Sequence, residues 1–162
     1  MHKNLLAPMA IGVGLIAILV TGVLYKQRGA RVGLTGSFLK VRTAPLDDNG
    51  SVAVVDFRVT NPGKVRFVVR NIKLVLDDPD GNKYDGMTVA EMDARRLFEA
   101  IPLLGQKFND TLVSTETIAA GASVDRMLAA RFDAPEARLL GRRRFILRIE
   151  DVDGPVTEIP EK

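Results

Sequence analysis

Cysteine and tryptophan are absent from the 162-residue chain, and its one histidine is His2. Without cysteine there are no disulfides, no zinc–thiolate or iron–sulfur sites and no thiol nucleophile. The absence leaves the compartment open, since many extracytoplasmic domains carry no disulfide. A Ser-His-Asp triad, a facial triad and a histidine-ligated haem each need a histidine inside the fold; position 2 supplies none. Aromatic residues make up 6% and the formal net charge is +3. Both are too low for the basic, stacking surface of a nucleic-acid binder. No glycine-rich phosphate loop is present: "GVGLIA" (residues 12–17) lies inside an apolar run and opens no βαβ unit. No carboxylate pair stands out for glycoside chemistry, and so short a chain has little room for a cleft. These exclusions point to a non-enzymatic protein with no cofactor and no nucleic-acid partner, and they argue against a small-molecule ligand.

What is present first is a long uncharged run. "LLAPMAIGVGLIAILVTGVL" fills residues 5–24, with Lys3 before it and Lys26, Arg28 and Arg31 after it. About 20 residues is what an α-helix needs to cross a bilayer core, and Pro8 sits near the start, where its missing N–H does little harm. A cleaved signal peptide has a shorter apolar core and a small-residue cleavage site; here the run ends in Leu24-Tyr25-Lys26. The expectation is an uncleaved signal-anchor helix over residues 1–25 and a linker over residues 26–34. Ala10, Gly14, Ala17 and Thr21 recur at spacings of 4, 3 and 4. They fall on one helix face, a small-residue surface on which a second membrane helix packs closely. The positive-inside count slightly favours a cytoplasmic C-terminal flank; the character of the following domain argues for the other side.

From residue 35 the apolar period becomes 2. "SFLKVRT" reads as a strand and "LDDNGS" as a turn. In "SVAVVDFRVT", Val55, Phe57 and Val59 alternate with Asp56, Arg58 and Thr60, the pattern of a half-buried strand. Val65, Phe67 and Val69 resume it, and a change of phase near Asn71 signals a bulge or a strand changing sheets. Thr88-Val89-Ala90-Glu91 has the form of a capping box, and Ala90, Ala94, Leu97, Ile101 and Leu104 follow helical spacing. A helix over residues 89–100 follows, ended by Pro102. Strands are expected again at "DTLVSTETI", "VDRMLAARF", "RRFILRIE" and "VDGPVTEI", with a short helical turn at "DAPEARLLG" stopped by Gly141. About seven strands with frequent turns predict a mainly β protein, an antiparallel sandwich with one inserted helix over residues 35–162.

The stretches "VDFRVTNPG", "IKLVLDDPDGNKY" and "ETIAAGASVDRMLAARFDAP" resemble the immunoglobulin-like β-sandwich of late embryogenesis abundant type 2 domains. They are similarly close to bacterial membrane-anchored Ig-like domains of unknown function. The resemblance covers about residues 35–155 and rests mainly on turn chemistry; the helical segment departs from it. It implies a binding or structural module with no catalytic residues, in bacteria usually extracytoplasmic.

Two clusters are candidate sites. "DDPDGN" places Asp78 and Asp80 where an EF-hand loop with Gly81 at its sixth position would have ligands. The first and twelfth positions are then Leu76 and Met87, so the ligand set fails at both ends, and Asp, Pro, Gly and Asn are also what a turn requires. Arg138, Arg142, Arg143, Arg144 and Arg148 form the densest basic patch. They would meet anionic lipid or an acidic partner, or serve as a charged edge that resists aggregation. The expected protein is a single-pass component of the inner membrane with a periplasmic domain. As an accessory or scaffold subunit it would dock on integral membrane subunits, an energy-transducing complex among the candidates. The alternative is a free-standing extracytoplasmic module that binds a ligand or protects under stress.

Overall fold

The computed structural model describes residues 12–22 and 33–162. Residues 12–22 form a helix, α1. Among the described residues no helix is long and apolar enough to cross a membrane. The remainder of the apolar run, residues 5–11 and 23–24, lies outside the described residues, as do Ala10 and most of the linker.

The chain from residue 33 onward is mainly β. In order come β1 (Thr35–Pro45), β2 (Ser51–Thr60), β3 (Phe67–Asp77), β4 (Lys83–Asp85) and β5 (Met87–Thr88). Helix α2 (Glu91–Ala100) and a 3-10 turn (Pro102–Leu104) come next, then β6 (Thr117–Ile118), β7 (Ser123–Phe132), α3 (Glu136–Leu140), β8 (Arg144–Asp151) and β9 (Val156–Pro160). The first sheet has the order β1-β2-β7-β5 and the second β4-β3-β8-β9, with β6 paired to the start of β3. All of the strand pairings are antiparallel.

Period-2 alternation explains how the sheets face each other. Val55, Phe57 and Val59 of β2, Leu128, Ala130 and Phe132 of β7, Leu74 and Leu76 of β3, and Phe145, Leu147 and Ile149 of β8 meet in one buried core. The phase change at Asn71 is a bulge in β3, between Val69 and Asn71. The chain passes from β4 in the second sheet to β5 in the first at Gly86, whose amide donates to the Leu74 carbonyl at 2.8 Å. A Cβ there would lie 2.6 Å from Phe132 Cζ and 2.9 Å from Ala130 Cβ. Only a glycine lets the backbone cross so close to the core.

The first sheet is not half-exposed, as the alternation in β2 suggested. Val52 and Val54 on its outer face are fully buried, together with Ala44, Met127 and Ala129. Their cover is the insertion between β5 and β6: Ala94 and Leu104 complete this second cluster, with Val89, Leu97, Phe98 and Ile101 packed against it. Helix α2 starts at Glu91, two residues later than the capping box placed it. Its N-cap is Ala90, which makes no side-chain cap. Thr88 instead belongs to β5, and its hydroxyl donates to the Ile72 carbonyl at 2.9 Å. The expected strand at "DTLVSTETI" shortens to β6 and one parallel bridge, Thr111 to Met127. That segment lies along the free edge of β7, where the amides of Leu112 and Met127 bond to Met127 and Asp110 carbonyls.

Candidate functional site: the arginine clamp and the two ends of the sandwich

The most buried charges hold the insertion down. Arg42 projects from the outer face of β1, with 8% of its side chain exposed, beside the Asp56 carboxylate of β2 at 3%. One guanidinium nitrogen donates to Asp56 Oδ2 at 2.5 Å, and the other to the carbonyls of Leu104 and Gln106, both at 2.7 Å. The second carboxylate oxygen accepts from Asn109 Nδ2 at 2.9 Å. Arg42 Nε has no hydrogen-bond partner, but the guanidinium plane lies 5.0 Å from the Phe98 ring centre and 5.3 Å from that of Phe108. Stacking on aromatic faces suits a flat, weakly hydrated cation. One side chain thus ties together a strand, the 3-10 turn, the following loop and two rings. The signal available in the sequence was Asp56 itself: an acid inside "VAVVDF" needs a partner if both faces are buried.

The remaining candidate residues lie elsewhere. Asp78 is buried, and its Oδ1 accepts from the Asn82 amide at 2.9 Å while its own amide donates to the Asn82 carbonyl. Gly81 occupies the left-handed region with φ of 85°. This is turn chemistry; Asp80 is exposed. Among the described residues no group of three or more acidic or histidine side chains is placed to hold a metal.

The five arginines do not form one free patch. Arg142 grips Glu161 through Nε at 2.8 Å and a terminal nitrogen at 2.5 Å, and also donates to the Leu139 carbonyl at the end of α3. Arg144 pairs with buried Asp77 at 3.0 Å, Arg148 with Glu158 at 2.7 Å, and Arg138 lies over the Tyr84 ring. Arg143 is exposed, with its amide bonded to the Asp77 carbonyl. Burial raises the Glu161 carboxyl, but the hydrogen bonds from Arg142 and the Phe145 amide, with the guanidinium charge, outweigh it and hold the group below the usual range.

Pairing registers place these features at opposite ends. Arg144 opposite Asp77 puts the basic cluster, α3 and the turn at residues 78–82 together. At the other end the chain enters the domain: the Leu34 amide donates to Thr157 Oγ1 at 2.9 Å, and Gly36 is pressed between the Arg58 carbonyl and Ile159. On α1, a Cβ added to Gly14 meets nothing within 4 Å, and Ala17 and Thr21 are exposed on the same face.

The class these observations define is a mainly β domain of two antiparallel sheets with a helical insertion clamped to one outer face. No family model and no curated protein matches the chain. Among solved structures it is similar to the X-ray structure of Northeast Structural Genomics Consortium target SoR45, with 11% identity over 84% of each chain and a TM-score of 0.36. It is also similar to the Iho670 flagellar-like filament, with 11% identity over 99% of this chain and 98% of that one and a TM-score of 0.35. Likenesses at that level bear on neither fold nor function.

Proposed function

We propose that the chain is a single-pass inner-membrane protein whose domain is an immunoglobulin-like sandwich on the extracytoplasmic side. It acts as a non-enzymatic accessory or scaffold subunit docked on integral membrane subunits. The Ig-like reading is supported by strand order. The sheets β1-β2-β7-β5 and β4-β3-β8-β9 correspond to A-B-E-D and C′-C-F-G of that architecture. The observation that carries the functional reading is the uncharged 20-residue run ahead of a domain in which Arg42, Arg142 and Arg144 pair with the domain's own acids, Asp56, Glu161 and Asp77. Those charges position the insertion and the C-terminal strand rather than converge on a cleft. The open Gly14, Ala17 and Thr21 face is the natural contact for a partner helix, because in lipid association depends on close packing.

Extraction in mild detergent tests the proposal. A stable heteromeric particle supports a subunit, and a lone monomer supports the free-standing module instead. Gly14→Leu/Ala17→Leu keeps the length and hydropathy of the span and is expected to release the chain from that particle, overpacking costing about 1–3 kcal/mol. Protease added to intact spheroplasts is expected to digest the domain; cleavage only after lysis would place it in the cytoplasm.

A further inference from the structure

We propose that the end of the sandwich where the linker enters is a lipid-binding surface, seated on the headgroups of an anionic bilayer. The inference rests on the anchor reading above. Nine residue steps separate Leu24 from Gly33, which reach at most about 30 Å when fully extended. That is close to the length of a ten-residue strand, about 33 Å. With Leu34 fastened to Thr157, the entry end is held toward the membrane. The arginine cluster around Arg142, which the sequence offered for lipid contact, is at the far end.

Three loops converge at the entry end. Asn61 joins two of them: its amide donates to the Ala122 carbonyl and its own carbonyl accepts from Gly121. The Val152 amide donates to the Val68 carbonyl and brings in the third. The first loop is rigid. Asn61 is buried, its Nδ2 donating to the carbonyls of Val65 and Ile118 at 2.8 and 3.0 Å, and its Oδ1 accepting from the Gly63 amide at 3.0 Å. This fixed frame turns Lys64, Val65 and Arg66 outward.

The chemistry of that surface is specific. Val65 and Val152, one from each of two of these loops, are 44% and 48% exposed. The other cations nearby are matched: Arg58 with Asp125, Arg70 with Glu150 and Arg126 with Glu116. Lys64 and Arg66, among the described residues, have no ion-pair or hydrogen-bond partner for their side chains. Two exposed valines, with the unmatched cations Lys64 and Arg66 on either side of Val65 and one carboxylate, Asp153, beside Val152, fit a surface with anionic phosphates outside and acyl chains beneath.

The absence of cysteine makes single labelling sites straightforward. Val65→Cys, Val152→Cys and, at the far end, Asp80→Cys would each be labelled with an environment-sensitive fluorophore in the full chain. The chains are reconstituted in phosphatidylcholine vesicles with and without phosphatidylglycerol, and quenching by headgroup nitroxide lipid is measured. The expected result is strong quenching at positions 65 and 152 only with phosphatidylglycerol, and little at position 80. Lys64→Glu/Arg66→Glu is expected to lower the ratio of seated to unseated chain by about thirtyfold or more, since loss of two basic side chains from an anionic surface alone implies about that factor and the new carboxylates add repulsion. Equal quenching at all three positions, or quenching indifferent to phosphatidylglycerol and to charge reversal, overturns the proposal. Quenching that appears only when other membrane proteins are added also overturns it, in favour of a protein partner. Alkaline carbonate extraction separates the two failures. A chain that washes out refutes the anchor and the seat together; one that resists extraction yet stays unquenched refutes only the seat.

Discussion

Replacing Arg42 by alanine is the sharpest test of how the insertion is held. The change leaves the Asp56 carboxylate, 3% exposed, with Asn109 as its one remaining side-chain donor among the described residues. It also strips one donor each from the Leu104 and Gln106 carbonyls and removes the cation between Phe98 and Phe108. Breaking a buried ion pair from one side costs about 3–5 kcal/mol, because the surviving charge stays buried and unmatched. Against a total of roughly 5–15 kcal/mol for a domain, this is a large fraction. For a domain of this size it amounts to a fall in Tm of roughly 10–20 °C. Far-UV circular dichroism melts of the full chain in detergent would read it. Removing both partners, as Arg42→Met/Asp56→Ala, is expected to be less damaging than the sum of the single changes by about 1–3 kcal/mol. Exposed Arg95 and Arg96 on α2 provide a local probe, with tryptic cleavage there accelerating as the insertion lifts. A loss below about 1 kcal/mol, or additive single and double variants, would refute the clamp, since surface-like pairs behave that way.

Three further outcomes are expected. Gly86→Ala, whose new methyl meets Phe132 and Ala130, should cost about 1–3 kcal/mol as overpacking, read by urea denaturation; at open Gly105, where a methyl meets nothing, the same change should cost only what a backbone at φ 67° and ψ −144° imposes on a side chain, about 1–3 kcal/mol. Because the Glu161 carboxyl is held below its usual range, its contribution is complete above the ordinary glutamate pKa and fades as pH falls through the lowered folded value. Glu161→Gln should therefore weaken the domain at neutral pH and flatten the acid limb of a stability–pH curve, and an unchanged acid limb would contradict the assignment. Added calcium should leave Tm unmoved in wild type and in Asp78→Asn/Asp80→Asn, measured by the same melts; a calcium-dependent rise lost in the variant would make the turn a metal site.

The legible parts of the fold were those governed by local periodicity. Phe145, Leu147 and Ile149 announced an inward face, and the break of phase at Asn71 announced the bulge. Turn residues announced most connections. What stayed hidden depended on contacts distant in sequence. Arg42 and Asp56 are 14 residues apart, but the Leu104, Gln106 and Asn109 groups that make their burial tolerable lie 62, 64 and 53 residues from their partners. No spacing rule reaches across that distance. The helix start failed for a related reason: Thr88 had a capping partner in sequence, Glu91, and a stronger claim in space, the Ile72 carbonyl of the neighbouring strand.

The basic patch misled in a different way. Charge density in sequence says nothing about which charges are already matched. On the outer face of the second sheet, β3 and β8 set Lys73 opposite Arg148, Val75 opposite Ile146 and Asp77 opposite Arg144. Val75 and Ile146 are 1% and 5% exposed, although among the described residues no helix or further sheet packs on that face. The rows on either side are long charged side chains, and β9 adds Glu158 beside Arg148 and Pro160 beside Ile146. Aliphatic stems lying over an apolar pair while the heads reach water account for that burial. Arg148 is then cover and counter-ion at once, held at 2.7 Å by Glu158. The first sheet covers its outer apolar residues with a clamped insertion, and the second with its own charged side chains. Of the exposed cations without an ion pair, Lys83 and Arg143 stand at the far end, and Lys64 and Arg66 at the end where the chain enters the domain.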